Sequence, residues 1–139
     1  MPISPYLFFD GTCHEAMTAY ADILGGEVIA MFGADDAPPD AGLGDMPAGH
    51  VMHAAIRVGG DMIMASDDVP GRHSPPATTR VMATLPDGEA ARRAFDRLAE
   101  GGEVTMPFQE TFWAAGFGAL RDRWGQLWMI QVDSGTASD

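Results

Sequence analysis

Two histidines, His50 and His53, are the side chains of this sequence best suited to acid–base chemistry or metal binding. They lie three residues apart in residues 50–58, where the pattern predicts a β-strand. Side chains three apart on a strand point to opposite faces, so the two imidazoles cannot bind one metal ion together. His53 shares its face with Arg57, and we predict that both line a cavity. The alternative is a partly exposed structural histidine and a surface arginine.

Asp122 is the second candidate for acid–base chemistry. It opens a predicted hairpin turn, residues 122–125, and the alternative is that it forms the turn. Cys13 stands at a predicted helix N-terminus, a position that lowers the pKa of a thiol. Because it is the single cysteine and no base is evident beside it, we interpret it as structural. The sequence shows neither a Ser/His/Asp pattern nor a phosphate-binding loop.

Charge and composition narrow the classes of partner. The 139 residues include 20 acidic and 8 basic side chains, a net charge of −12, which disfavours nucleic acid and anionic membranes. All the basic residues are arginine and asparagine is missing, which is typical of a GC-rich bacterial genome. No apolar run approaches the roughly 20 residues that span a bilayer. With no export signal and one cysteine, we expect a cytoplasmic protein.

An internal repeat sets the organisation. Residues 25–32 read GGEVIAMF and residues 101–108 read GGEVTMPF, with five of eight positions identical. A second echo joins GDMIM at 60–64 to GQLWM at 125–129. Two copies of one supersecondary unit are therefore predicted, in halves of about 1–67 and 78–133, which together form a single domain, 1–139, with a cleft at their junction.

Each half is predicted to run β-α-β-β-β, so the fold class is α+β. Thr12 and Glu15 have capping-box spacing before the first helix, and Gly25-Gly26 ends it. Residues 33–49 form an acidic insert that is either disordered or a lid, and the tail after 133 is expected to be frayed. The remaining predicted elements are strands 3–9, 27–32, 50–58 and 61–66, then strand 78–85, helix 87–100 and strands 103–108, 112–121 and 127–132.

Several runs resemble the vicinal oxygen chelate superfamily, which includes glyoxalase I, bleomycin-resistance proteins and dioxygenases, and within it the PhnB-like branch. These runs are PYLFFDG at 5–11, HVMHAAIRVGGDMIMASD at 50–67 and FWAAGFGALRDRWGQLWMI at 112–130. The resemblance implies a curved mixed sheet made by the tandem repeats, a binding site on its concave face, and a homodimer. It does not imply a methyl-donor site, because Gly59-Gly60 lies in a predicted hairpin and not in a strand-to-helix turn.

The same resemblance locates the four positions that hold the superfamily's metal. They fall at Pro5 or Tyr6, Met64, Met82 and Met129. Apart from the weak phenol of Tyr6, none offers a hard nitrogen or oxygen ligand for zinc, nickel, iron or manganese. We therefore expect no metal and no other cofactor. A thioether site for Cu(I) is a further alternative.

The predicted ligand-binding surface includes these four positions, and the repeat makes Met64 and Met129 equivalent within it. Strand alternation puts Ser66 and Gln131 on the same face, at the rim of the surface. One alternative is that the methionines only fill the core. Another is that Trp113 and Phe117 contact the second chain of a dimer. The predicted ligand-binding residues are Tyr6, His53, Arg57, Met64, Met82, Trp113, Phe117, Met129 and Gln131.

Three functions are compatible with this surface. The first is binding of a small apolar or aromatic molecule without a metal centre. The second is a superfamily enzyme of lyase, isomerase or dioxygenase type, with a relocated or non-standard metal site and with His53 or Asp122 as acid–base group. The third is a structural dimer without a ligand. A cavity with a few convergent polar groups would favour the first two.

Overall fold

A computed structural model describes residues 1–38 and 46–133. The chain divides into two compact units, Met1–Pro75 and Pro76–Asp139. Each unit contains one β-α-β-β-β repeat, which confirms the predicted α+β class. Neither helix among the described residues has the length and apolar character that membrane crossing requires. That the two units form a single domain stays a prediction.

The first unit is a four-stranded sheet with one helix packed on it. The strands are ordered β1-β4-β3-β2, with β1 parallel to β4 and the other neighbours antiparallel. The elements are β1 (Tyr6–Phe9), α1 (Cys13–Leu24), β2 (Glu27–Gly33), β3 (Val51–Val58) and β4 (Asp61–Asp67).

The second unit repeats this order as β5-β8-β7-β6, with β5 parallel to β8. Its elements are β5 (Val81–Leu85), α2 (Gly88–Ala99), β6 (Glu103–Gln109), β7 (Phe117–Arg121) and β8 (Leu127–Val132). The α2 helix buries one face, which includes Ala91, Phe95 and Leu98. The side chain of Asp87 caps it by accepting a hydrogen bond from the Ala90 amide at 2.8 Å.

The repeated GGEV motif has a structural reason in both units. Gly25 and Gly101 end their helices with φ of 73°, in the left-handed region that favours glycine. At the second glycine, Gly26 or Gly102, an added Cβ would collide with the backbone carbonyl oxygen of Arg57 or Arg121, respectively. The helix can therefore turn into its strand only where the side chain is a hydrogen atom.

Three strands are shorter than predicted by three or more residues. The predicted strand 3–9 begins at Tyr6, after Pro5, which has no amide hydrogen to donate to a sheet. The predicted strand 78–85 begins at Val81, which pairs with Trp128 near the start of β8. The predicted strand 112–121 begins only at Phe117, because residues 111–114 form a turn in which the Thr111 hydroxyl accepts from the Ala114 amide at 3.1 Å.

The acidic insert begins with a short 3-10 turn, Ala34–Asp36, directly after β2. Residues 39–45 of this insert and the tail 134–139 lie outside the described residues, so the predicted lid or disorder there, and the predicted fraying, remain predictions.

The expected capping box at the start of α1 is wrong. Thr12 occupies the N-cap position but makes no side-chain capping bond, and its φ of −111° and ψ of 13° are not the extended geometry of a capping residue. The buried carboxylate of Asp67 replaces it. One oxygen accepts from the Cys13 amide at 3.0 Å and the other from the Val51 amide at 2.9 Å.

Cys13 also departs from expectation. Burial raises the pKa of its thiol to about 12, and the negative charge of Asp67 adds to the rise. Desolvation of the thiolate therefore outweighs the helix N-terminus, so the expected lowering of this pKa is wrong. The structural interpretation of Cys13 agrees with its full burial.

We expect Asp67→Asn to destabilise the protein by about 2 kcal/mol, because an amide has one acceptor oxygen where the carboxylate serves two backbone donors. Urea unfolding followed by circular dichroism measures this. Asp61→Asn, at an exposed position at the start of the same strand, should change the unfolding free energy by less than about 0.5 kcal/mol. Equal midpoints for Asp67→Asn and the wild type would contradict the anchoring role.

For Cys13, we expect the native thiol to react with Ellman's reagent at about pH 8 at least roughly a hundredfold more slowly than the unfolded chain, because little thiolate forms. Protein unfolded in guanidinium is the control and should release one equivalent per chain. A native rate within about tenfold of the unfolded rate would show that the thiol is accessible and ionised.

Candidate functional site

In each unit, one sheet face packs against the helix and the other does not. In the first unit, Phe9 contacts Tyr20 of α1, with ring centroids 6.2 Å apart, so Phe9 marks the helix side. Tyr6 and Phe8 alternate with it and lie on the opposite side. We call these opposite sides the open faces of the two sheets.

A hydrogen-bonded pair of ring side chains, Tyr6 and His53, lies on the open face of the first sheet. The Tyr6 hydroxyl is 3.0 Å from the His53 Nδ1, and the ring centroids are 5.8 Å apart with planes inclined by 29°. Met64 shares this face, because it is in register with Tyr6 on one side and with Ala55, two residues from His53, on the other. Sheet register thus brings together three of the predicted residues.

Two aromatic side chains that the sequence reasoning missed flank this pair. Phe8 has its ring centroid 5.2 Å from that of Tyr6, and Phe32 is in register with His53. Their exposed fractions are 46% and 56%, against 40% for Tyr6. Strand alternation from Tyr6 could have identified Phe8, whereas the bulges in β2 hide the register of Phe32. Ser66, predicted at the rim, is buried on this face beside Phe8.

Arg57 lies on the same open face, four residues further along β3, and forms a salt bridge with Glu27 at 3.1 Å. Both side chains are largely exposed, so the pair contributes little to stability. A shallow cleft of about 210 Å³ lies beside it, lined by Gly25, Gly26, Glu27, Arg57 and Gly59. The guanidinium charge is therefore neutralised locally and not directed at the Tyr6–His53 pair.

The open face of the second sheet carries the equivalent positions. Gly118 marks the helix side, since a Cβ there would meet Phe95 of α2, and Ile130 is in register with it. Met129 and Gln131 therefore lie on the open side, in register with Met82 and Thr84 of β5. The Gln131 amide donates to the Thr84 hydroxyl at 3.0 Å.

Phe117 is buried on this open face in register with Gln131. Trp113 lies in the irregular segment before β7, with 52% of its surface exposed. Its ring makes an edge contact with Phe117 at 5.5 Å and another with Phe112 at 4.7 Å. Phe112, almost fully exposed, was missed as a neighbour of Trp113 because a continuous strand was predicted there.

Asp122 occupies a different environment. It is buried, and its carboxylate accepts from the amides of Trp124 and Gln126 and from the Trp128 indole, each at 2.9 Å. Both oxygens are thus committed to the hairpin and to the core tryptophan. This geometry supports the turn-forming alternative for Asp122 over acid–base chemistry.

The residues at the four expected metal positions do not suit the superfamily's metal. They supply three thioethers and the Tyr6 phenol, which is already hydrogen-bonded to His53. Hard divalent ions prefer imidazole and carboxylate ligands. Among residues 1–38 and 46–133, no three His, Cys, Asp or Glu side chains are grouped to hold an ion.

Comparison with known proteins agrees with this fold. The family model of the glyoxalase/bleomycin resistance protein/dioxygenase superfamily matches residues 3–130. Protein YjdN of Escherichia coli K12 is 38% identical over 141 residues, covering 95% of each chain.

Two solved structures are similar over nearly the whole chain. Protein PA1353 from Pseudomonas aeruginosa is 38% identical, with a TM-score of 0.86 over 96% of this chain and 98% of its own. A Bacillus cereus protein described as a putative 3-demethylubiquinone-9 3-methyltransferase, PhnB protein, is 24% identical, with a TM-score of 0.81 over 96% of this chain and all of its own. At that identity the second likeness concerns the fold. The chain belongs to the glyoxalase/bleomycin resistance protein/dioxygenase superfamily, with a PhnB protein among its structural neighbours, as the sequence resemblance implied.

Proposed function

We propose that this protein binds a small, mostly apolar or aromatic molecule on its open sheet faces and that it does so without the superfamily's metal. The observation that carries the proposal is the Tyr6–His53 hydrogen bond, which lies among partly exposed aromatic and thioether side chains. Binding sites commonly combine an apolar lining with a few polar groups that fix orientation. Three predicted residues, Tyr6, His53 and Met64, meet that description.

The second sheet supports the same proposal by position. Met82 and Met129 are register neighbours on its open face, as Tyr6 and Met64 are in the first sheet. Thioether side chains adapt to irregular ligands. The Gln131–Thr84 hydrogen bond supplies a neutral polar group beside them. A methyl-donor function is not supported, because Gly59-Gly60 connects two antiparallel strands, β3 and β4.

A second candidate is a superfamily enzyme with a relocated or non-standard metal that uses His53 as acid–base group. The 3.0 Å Tyr6–His53 contact favours it, because a hydrogen-bonded partner orients a general base. Native mass spectrometry of protein purified without added metal separates the candidates. About one retained transition metal per chain would favour the enzyme, and metal-free protein that binds the probe below would favour the binding protein.

We expect 1-methylnaphthalene to bind the purified protein, and Met64→Gln to weaken its affinity by about five- to tenfold, because an amide replaces an apolar contact of about 1 kcal/mol. Equilibrium dialysis measures the affinity. Thr18→Gln, at an exposed position of α1, is the matched control and should stay within twofold of the wild type. No binding to the wild type, or equal affinity in both variants, would contradict the proposed site.

We also propose that the protein is a homodimer. The edge strands β2 and β6 carry exposed apolar side chains, among them Val28, Val104 and Met106. Exposed apolar edge strands of this kind are usually covered by another part of the protein or by a second chain. Sedimentation equilibrium at micromolar concentration should therefore give twice the chain mass. A monomer mass would refute the dimer and would leave the binding proposal to be judged by its own test.

A further inference from the structure

The imidazole of His53 has one nitrogen engaged and one available. Nδ1 is hydrogen-bonded to the Tyr6 hydroxyl. Among the described residues, Nε2 has no protein partner. Since the two ring nitrogens point away from each other, a hydrogen bond at Nε2 would leave the bond to Tyr6 intact.

The Tyr6–His53 bond can be made in two ways, and each fixes the state of Nε2. If the tyrosine hydroxyl donates to Nδ1, the neutral ring carries its proton on Nε2, which then donates to a ligand. If Nδ1–H donates to the tyrosine oxygen, Nε2 is an acceptor. A carbonyl group satisfies the first state alone, and an N–H group satisfies the second alone. A hydroxyl group, which donates and accepts, satisfies both.

Charge favours a neutral ligand over an anionic one. The chain has a net charge of −12, and the nearest arginine along β3, Arg57, is paired with Glu27. The Arg57 guanidinium is therefore not free to receive a carboxylate beside His53. The flat side chains beside the pair, Phe8 and Phe32, favour a planar ring through offset or edge contacts.

We propose that the Tyr6–His53 pair selects neutral hydroxylated aromatic molecules by hydrogen-bonding their hydroxyl group at His53 Nε2. This inference rests on the proposed binding function and specifies its ligand class. Tyr6 acts as a positioning residue, because its hydrogen bond holds the imidazole in place and influences which ring nitrogen carries the proton. Phe8 and Phe32 receive the ring of the ligand.

The test compares two probes of nearly equal size, 1-naphthol and 1-methylnaphthalene, by equilibrium dialysis. We expect the wild type to prefer 1-naphthol by about tenfold, as one well-placed hydrogen bond allows. His53→Phe keeps a ring but removes the nitrogens, and it should reduce the preference to less than about twofold while 1-methylnaphthalene still binds. His14→Phe, the same change at an exposed position of α1, should retain the wild-type preference.

A second readout tests the role of Tyr6. In long-range nitrogen–proton spectra, 1-naphthol should move the Nε2 resonance of His53 in the wild type, and Tyr6→Phe should alter the tautomer signature before any ligand is added. A merely structural tyrosine would leave that signature unchanged, and this result would overturn the positioning role.

The outcomes separate the two proposals. Equal affinity of the wild type for both probes, or a naphthol preference that persists in His53→Phe, would overturn the inference and leave the binding function standing. Failure of both probes to bind the folded wild type would overturn the binding function together with the inference.

Discussion

The open face of the first sheet depends on one buried carboxylate, that of Asp67. It ends β4, and its two oxygens hold the first amide of α1 and the first amide of β3. The amide of the next residue, Asp68, bonds to the carbonyl of Phe9 at 2.8 Å, which closes β1 against the same point. Three strands and a helix thus share one anchor, and a slip of any strand by one residue would move its side chains to the other face. The Tyr6–His53 pair exists because this register is fixed.

The repeat duplicates the backbone but not the chemistry of the open face. The parallel pair Tyr6 and Met64 in the first sheet corresponds to Met82 and Met129 in the second. In the first sheet, His53 lies two residues before Ala55, which is in register with Met64. The corresponding residue of the second sheet, two before Ala119, is Phe117. The polar Tyr6–His53 pair of the first unit is therefore replaced by the apolar side chains of Met82 and Phe117 in the second.

Much of the fold could be predicted because the repeat, the glycine pairs and the helix periodicity are local signals that agree with one another. The start of β5 and the α1 cap could not, because they depend on partners distant in sequence, Val81 with Trp128 and Cys13 with Asp67. At the candidate site, alternation put His53 on the face away from the helix, and the resemblance gave Pro5 or Tyr6 as the first metal position. Their mutual hydrogen bond was not predictable, since it joins residues 47 positions apart and depends on the β1–β4–β3 register.

The most direct test of the account is a carbon–proton methyl spectrum of the methionines, recorded while the wild type is titrated with 1-methylnaphthalene. Met64, Met82 and Met129 lie on the open faces, whereas Met17 is fully buried in α1. Binding on the open faces predicts ligand-dependent shifts for Met64, Met82 and Met129, with Met17 unchanged. A saturated protein in which Met17 shifts and Met64 does not, or in which no methionine shifts, would contradict binding on the open faces.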